Sequence, residues 1–248
     1  MMRTAVAFQD VSYAYPDGTA ALYAVSFRIA EGESVAVIGA NGAGKSTLLH
    51  HLNGVLSARE GTVTIGGAVV SRDTLPAVRR AVGMVFQDPD DQLFMPTVLE
   101  DVAFGPLHAG LSAEEAERAA EEALTRVGIG HLRERPPYRL SAGEKRAAAI
   151  ATVLALNPDI LVLDEPSSNL DPRGRRRLIG LLHSLNQTRL VATHDLELVL
   201  EVCSRVLVLD GGRVVADGPA AEILNQEPLM LAHGLERPHS LRHRHPHP

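Results

Sequence analysis

Cysteine is nearly absent from this chain of 248 residues, which contains Cys203 alone. One cysteine excludes a disulfide framework within the chain and fits a reducing compartment. Since Cys203 stands in an apolar stretch, we expect its side chain to be buried. Long apolar segments are missing as well. The longest, 147–156, reaches about half of the ~20 residues that a membrane-spanning helix needs, so we expect no direct insertion into a membrane.

Positive charge is also in short supply. Lys and Arg number 24 against 30 Asp and Glu, which gives a formal net charge of −6. Because phosphate backbones require basic surfaces, this balance argues against a nucleic-acid binder. The first ten residues turn polar too early for a secretory signal, and no internal repeat is visible. Composition is ordinary for a globular protein, and the length suits one α/β domain or a core with an inserted subdomain.

What the chain does contain is a glycine loop, 39–44, followed by Lys45 and Ser46. It stands between an apolar, β-branched segment and a run with helical potential, which is the setting of a phosphate-binding loop. Glycines let successive N–H groups point at an anion, and the helix adds its positive end. We expect Lys45 to reach the β- and γ-phosphates of a nucleoside triphosphate and to act in catalysis, and Ser46 to ligate Mg²⁺. The residues predicted to bind the nucleotide here are Gly39, Asn41, Gly42, Ala43, Gly44, Lys45, Ser46 and Thr47.

Two carboxylates, Asp164 and Glu165, follow the apolar segment I-L-V-L at 160–163. Such a continuous apolar run suits a parallel strand covered on both faces. A nucleoside triphosphatase needs an acid for its metal and a group that orients water beside the γ-phosphate. Two acids at the end of a strand need no function when they stand alone. Beside a phosphate loop, they predict Asp164 as a Mg²⁺ ligand through water and Glu165 as the catalytic residue that polarises water.

Helical patterns are concentrated in residues 97–150. The sequence S-A-E-E beginning at Ser112 has the pattern of a capping box, ahead of an amphipathic helix that ends at Gly128. A second such box, S-A-G-E at 141–144, predicts an apolar helix that runs to Leu156. We therefore expect a mostly helical subdomain inserted into a sheet-forming chain.

Strand patterns dominate the N-terminal part. Segments 4–8 and 22–29 alternate apolar and polar residues, and a Gly-Gly turn within 61–70 predicts a hairpin. The turn between the first two strands carries Tyr15, which precedes a proline and is pushed toward an extended conformation. Beside a nucleotide loop, this ring either stacks on a base or covers the core at the sheet edge.

The sequence L-S-A-G-E at 140–144 resembles the L-S-G-G-Q signature of ATP-binding-cassette (ABC) ATPases. The resemblance covers about residues 4–225. In it Gln87 matches the glutamine that contacts nucleotide and Mg²⁺, 168–171 match the D-loop, and His194 matches the catalytic switch histidine. The resemblance therefore implies ATP and Mg²⁺ as ligands and ATP hydrolysis as the activity.

The same resemblance implies an α/β fold: a P-loop NTPase (RecA-like) core with an antiparallel β subdomain and an inserted helical subdomain. It divides the chain into an ABC ATPase domain, 1–235, and a flexible His-rich tail, 236–248. Within the domain, the core is expected at about 1–96 and 151–235, and the helical signature subdomain at about 97–150.

The signature departs from the family pattern at Ala142 and Glu144. Ala142 keeps a small side chain, whereas Glu144 completes a capping box with Ser141 and is expected to be mainly structural. In the family, the signature serine, its Gly143 and the D-loop Asp171 contact ATP that the opposite subunit holds. The resemblance thus implies a second ABC ATPase subunit, identical or different, and a head-to-tail dimer that closes on ATP and opens after hydrolysis.

Three short stretches resemble the ATPases of energy-coupling-factor and cobalt or nickel importers: 88–94 after Gln87, 15–18, and 104–107. The region after Gln87 is then expected to contact transmembrane transporter subunits, with the chain peripheral on the cytoplasmic face of the cell membrane. Tyr15 matches the aromatic that stacks on adenine, which favours stacking over the alternative role. These matches predict an ATPase that powers an importer, with cobalt or nickel as the leading cargo and a vitamin or other small solute as the alternative.

Histidines cluster near the C-terminus and suit nickel, cobalt, copper or zinc. A solvated tail without function explains them equally well. They are His233, His239, His243, His245 and His247.

Two other classes remain as alternatives. A non-transport ABC ATPase acting on DNA or ribosomes would carry a long coiled coil between its motifs or two cassettes, and neither is present. A stand-alone P-loop kinase would need no signature or D-loop.

Overall fold

Two β-sheets organise the computed structural model, which describes residues 3–242. The strands in this part of the chain are β1 (Thr4–Ala14), β2 (Ala20–Ala30), β3 (Ser34–Ile38), β4 (Glu60–Ile65), β5 (Ala68–Val69), β6 (Val82–Val85), β7 (Ile160–Asp164), β8 (Thr188–Ala192), β9 (Arg205–Asp210) and β10 (Arg213–Pro219). The helices are α1 (Lys45–Leu52), α2 (Leu75–Ala81), α3 (Val98–His108), α4 (Ala113–Arg126), α5 (Ala142–Leu154), α6 (Pro172–Ser184), α7 (Leu196–Val202), α8 (Ala220–Leu224), α9 (Glu227–Ala232) and α10 (His239–Arg242).

The larger sheet has the strand order β10-β9-β3-β8-β7-β6, and only β10 runs antiparallel to its neighbour. Strands β3 and β7 are buried along their whole length, as their continuous apolar sequences predict. Because β8 lies between β3 and β7, the carboxyl ends of these three strands meet at one edge. In open α/β sheets that edge is where ligands bind.

The smaller, antiparallel sheet has the order β2-β1-β4-β5. Gly66 and Gly67 form the predicted turn between β4 and β5, with φ of 56° and 87°, a backbone region that glycine adopts without strain. Phe8 and Phe27 stack across β1 and β2 with ring centroids 4.6 Å apart. The inner face of this sheet packs with α1 and with one face of the larger sheet in a shared apolar core.

Helices α3, α4 and α5 pack against one another and, with α6 and α7, against the other face of the larger sheet. Both predicted capping boxes form, and Gly128, with φ of 79°, follows the end of α4. Helix α5 ends at Leu154, two residues short of the predicted Leu156, because Ala155 already caps it. Cys203 is buried as expected, and burial raises the pKa of its thiol to about 11. The α/β fold with mixed sheets is confirmed, while the exact subdomain boundaries stay predictions.

The tail predicted from residue 236 contains α10 in its described part, and its flexibility stays a prediction. Leu235 is buried, and α10 lies against α7, where the backbone and side chain of Ser240 both donate to Glu197. These bonds connect the described part of the tail to α7. His243, His245 and His247 lie outside the described residues. Within 3–242, no helix is long and apolar enough to cross a bilayer.

Candidate functional site

The glycine loop connects β3 to α1, and close packing requires glycine at two of its positions, Gly39 and Gly44. A Cβ at Gly39 would stand 2.2 Å from the carbonyl oxygen of Leu209, and one at Gly44 would stand 2.7 Å from that of Ala21. Gly44 also has a φ of 104°, where other residues are strained. The loop thereby brings its backbone N–H groups to the start of α1, which is an arrangement suited to an anion.

Lys45 occupies the first position of α1 and is only 9% exposed. Its ammonium group donates to the carbonyl oxygens of Gly39 (2.8 Å) and Ala40 (3.1 Å). Both acceptors are neutral, and in the described residues no carboxylate forms an ion pair with Lys45. A buried ammonium without a counter-ion favours an incoming phosphate.

Ser46 and Asp164 stand together at the carboxyl edge of the larger sheet. Burial raises the pKa of the Asp164 carboxyl group above its ordinary value, the nearby Ser46 hydroxyl acts against this rise, and the nearby charge of Glu165 adds to it. A hydroxyl and a buried carboxylate are hard oxygen donors of the kind that Mg²⁺ prefers. The residues present therefore fit this ion.

Glu165 follows β7 directly and is 7% exposed. Its Oε2 receives three contacts: from Thr193 Oγ1 (3.0 Å), from the His194 backbone N–H (3.3 Å) and from His194 Nδ1 (2.8 Å). Glu165 also has a left-handed backbone, with φ of 45°, while its N–H donates to Ala192 at the end of β8. A non-glycine residue in this conformation is strained and persists only where its surroundings hold it. The contacts around Glu165 therefore hold both its backbone and its carboxylate in place.

Tyr15 lies beside the start of α1. Its hydroxyl is 2.8 Å from Thr47 Oγ1, and its ring meets that of Tyr13 edge to face at 5.2 Å. The ring is partly exposed next to the glycine loop. This position suits stacking on adenine, which stays a prediction.

Gln87 is the second residue of the segment 86–92, which we call the glutamine loop, and its side chain is exposed. Arg146 of α5 holds this loop, since its guanidinium donates to the carbonyl oxygens of Phe86 and Gln87, both at 2.7 Å. Lys145 adds an ion pair to Asp90 at 2.5 Å.

The far end of the glutamine loop is held by Gln92. Its amide nitrogen donates to the carbonyl oxygen of Ala149 (2.9 Å) and to Thr152 Oγ1 (2.7 Å), and its Oε1 accepts the N–H of Phe86. The sequence did not single out these residues. The available signal for Arg146, which is 3% exposed, was a charged residue directly before the apolar run at 147–156.

The signature and D-loop residues form a second, separate group. Ser141 caps α5, Asp171 caps α6, and Gly143 faces Gly174 of α6, where an added Cβ would lie 3.9 Å from the Gly174 Cα. Ser141 and Gly143 are not hydrogen-bonded to the glycine loop anywhere in residues 3–242. The structure brings the start of α5 close to the start of α6, and among the described residues the signature residues make no hydrogen bond to the chain's own phosphate loop.

The histidines near the C-terminus are not gathered into a metal centre in the described residues. His233 is engaged with Asp210, its Nδ1 lying 2.8 Å from Oδ2. His239 lies at the start of α10 and takes part in other interactions.

Comparison with known proteins decides the family. The family described as ABC transporter matches residues 22–168. The chain belongs to this family. It is 58% identical over 237 residues to an ABC transporter ATP-binding protein of Geobacter sulfurreducens, covering 96% of this chain and 95% of the other. It is 49% identical to the energy-coupling factor transporter ATP-binding protein EcfA of Carboxydothermus hydrogenoformans, covering 96% and 88%.

Two solved structures extend this comparison. CbiO1 of Clostridium perfringens, part of the ABC transporter complex cbiONQ, has a TM-score of 0.83 and 37% identity, covering 93% of this chain and 94% of that one. The cassette MJ0796, solved as a dimer after hydrolysis with ADP and Pi, has a TM-score of 0.78 and 30% identity, covering 87% and 98%. The protein is therefore an ATP-hydrolysing subunit of an ABC transporter, in a family whose ATPases dimerise and pair with transmembrane subunits.

Proposed function

We propose that this ABC ATPase powers an importer of the energy-coupling-factor type, with cobalt or nickel as its cargo, by closing head to tail with a second cassette on ATP. The observation that carries the proposal is the division of the site. The phosphate loop and the Glu165 carboxylate meet at one edge of the larger sheet. Ser141 and Gly143, at the start of α5, are not bonded to that loop and are available to another subunit.

The glycine loop supplies ATP binding in this proposal. Its N–H groups and Lys45 hold the β- and γ-phosphates, with Lys45 leaving the carbonyl oxygens of Gly39 and Ala40 that it now contacts. The residues 41–43 line the turn between them, and Thr47, bonded to Tyr15, ties the phosphate loop to the ring that stacks on adenine.

Mg²⁺ would be held by Ser46 and Asp164, with Gln87 completing the set, and when bound it would neutralise charge on the phosphates. The Ser46 hydroxyl already lies near the Asp164 carboxyl group. Gln87 enters from the glutamine loop, so its contribution depends on where that loop lies.

Glu165 accepts a proton from the attacking water, and His194 helps to orient the γ-phosphate. The His194 side chain is 70% exposed and contacts Glu165 in the isolated subunit. It can therefore turn from the carboxylate toward a phosphate with little loss of packing.

The second cassette supplies Ser141, Gly143 and Asp171 to this ATP. Helix α5 directs its N-terminus outward beside Ser141, and a helix N-terminus favours a negative charge. Each subunit thus completes the site of the other. Binding of ATP closes the pair, and hydrolysis with phosphate release opens it.

The glutamine loop is the proposed contact for the transmembrane subunit. Phe94, just beyond it, is 63% exposed, and Leu107 and Leu111 expose apolar surface at the end of α3. Phe94 and Phe104 meet edge to face at 5.0 Å, which joins these residues into one apolar patch. Such a patch suits docking of a helix from a partner. The relatives named as EcfA and the cbiONQ component support a partner of this kind, and docking there would place the chain at the cytoplasmic face of the membrane.

Glu165→Gln tests the assignment of the site. We expect ATP to bind with affinity near that of the parent, hydrolysis to fall by about 100-fold or more because the proton acceptor is lost, and a dimer to accumulate with MgATP. The measurements are phosphate release and light scattering. Glu60→Gln, an exposed position on β4, is the matched control and should behave as the parent. A parental rate in Glu165→Gln would disprove the role of Glu165.

The cargo requires the assembled transporter. Cells that carry the chain with its membrane partners should accumulate radioactive cobalt or nickel, and the Glu165→Gln variant should abolish that uptake. Uptake of a labelled vitamin with no metal uptake would replace the metal proposal by the alternative cargo. Co-purification with ribosomes or DNA, in the absence of any membrane protein, would contradict transport.

A further inference from the structure

The hydroxyl group of Thr193 makes two hydrogen bonds, and both involve the surroundings of Glu165. Its oxygen lies 3.0 Å from Glu165 Oε2 and accepts the backbone N–H of Asp195 at 3.0 Å. The amide brings its own proton, and a carboxylate has none to give. The hydroxyl proton of Thr193 is therefore directed to Glu165. Thr193 is 0% exposed, so bulk water does not compete for this bond.

The two oxygens of the Glu165 carboxylate are consequently unlike. Oε2 receives donors from Thr193 and from both the backbone and the ring of His194. Oε1 has no hydrogen-bond donor from any residue that the structure describes. One oxygen is held against the end of β8, and the other is left to accept a proton from water.

The donors to Oε2 also differ in how firmly they are held. His194 exposes 70% of its side chain, whereas Thr193 is buried and its N–H donates to Val37 of β3 at 3.2 Å. Strand β3 leads directly into the glycine loop. Thr193 therefore fixes the Glu165 carboxylate relative to the strand that carries the phosphate-binding backbone.

We propose that Thr193 is a positioning residue for ATP hydrolysis: it anchors Oε2 of Glu165 and so keeps Oε1 directed at the attacking water, also after His194 turns away. Thr193 does not touch ATP and acts through Glu165. This inference rests on the proposed role of Glu165 as proton acceptor.

Thr193→Val tests the proposal, because valine keeps the volume and removes the hydroxyl. In purified protein with MgATP, we expect kcat to fall by about ten-fold, the size associated with one lost hydrogen bond to a charged group. KM for ATP should stay within about two-fold, since the glycine loop is untouched. Thr193→Ser restores the hydroxyl and should recover most of the parental kcat. Thr193→Ala replaces the valine variant if that protein does not fold.

The matched control is Thr188→Val at the other end of β8. Thr188 is also a buried threonine, and its hydroxyl accepts the Gly32 N–H at 2.9 Å, far from Glu165. This variant loses a comparable hydrogen bond and should keep the parental kcat.

The outcomes separate this inference from the assignment on which it rests. A parental kcat in Thr193→Val, no recovery in Thr193→Ser, or an equal loss in Thr188→Val would overturn the positioning role. Glu165→Gln in the same assay decides the proposed function. If Glu165→Gln is inactive and Thr193→Val is fully active, only the inference about Thr193 fails.

Discussion

Helices α4 and α5 begin with nearly the same four residues, S-A-E-E at 112–115 and S-A-G-E at 141–144. Their capping boxes have nearly equal hydrogen-bond lengths. The distance from the serine hydroxyl to the glutamate carboxylate is 2.8 Å in both, and the distance from the glutamate N–H to the serine hydroxyl is 3.3 Å in α4 and 3.4 Å in α5. Cap geometry therefore does not distinguish a structural helix start from a proposed phosphate contact.

The difference is the residue at the second helical position, Glu114 in α4 and Gly143 in α5. The carboxylate of Glu114 would repel a phosphate at the start of α4. Gly143 leaves the corresponding N–H groups of α5 open. Among residues 3–242, no packing requires glycine there, because a Cβ would lie 3.9 Å from its nearest neighbour. The comparison supports the proposal that Gly143 faces a nucleotide held by another subunit.

Gly143→Glu makes α5 begin as α4 does, and it should have the largest effect. We expect hydrolysis to fall by about 100-fold or more, because a negative charge replaces an open anion site in the partner's nucleotide pocket. Stability should hold or rise by up to about 1 kcal/mol, since glutamate is a better helix former than glycine and its charge suits a helix N-terminus. Phosphate release and urea unfolding measure the two effects.

Glu114→Gly is the reciprocal change in α4. It should lower stability by about 0.5–1 kcal/mol and leave hydrolysis unchanged. If Gly143→Glu hydrolyses ATP at the parental rate, the N-terminus of α5 does not face a phosphate and the comparison loses its functional meaning.

Ser141→Ala and Ser112→Ala form the next pair. Each removes one cap, and each should cost about 1 kcal/mol of unfolding free energy. Only Ser141→Ala should also reduce kcat, by about ten-fold, because its hydroxyl is the one proposed to contact ATP. Equal kcat values in the two variants would show that Ser141 is no more than a cap.

Glu144→Gln should have the smallest effect. A capping box accepts glutamine, so hydrolysis at neutral pH should stay within about two-fold of the parent. The Ser141 N–H, and then its hydroxyl, lower the pKa of Glu144 below its ordinary value. A lowered pKa gives stability that is present above the unfolded-state pKa and is lost as pH falls through the folded-state pKa.

The unfolding free energy of Glu144→Gln should therefore decrease less than that of the parent as pH falls below about 4.3. Glu115→Gln in α4 should do the same, because the Ser112 N–H and hydroxyl lower the pKa of Glu115 in the same manner. Urea midpoints measured across this range test both. A steeper acid dependence in either variant would contradict the assignment.

Features that depend on neighbours in sequence were predictable. The glycine loop, the apolar strands and both capping boxes are short-range patterns, and the α/β fold followed from them and from the family resemblance. Helix α7 was not predicted, because L-E-L-V-L-E-V alternates like a strand. The hydrogen bond between Thr193 and Glu165 could not be predicted from the sequence for another reason: it exists only because β8 lies beside β7 in the sheet.

The glutamine loop is fastened to α5 at both of its ends, by Arg146 near Gln87 and by Gln92 at the other end, with Lys145 between them. These contacts tie the loop to the helix at several points. Arg146 stands about 7.5 Å along the helix from Ser141, so we expect a displacement of the loop to move α5, and with it the signature serine.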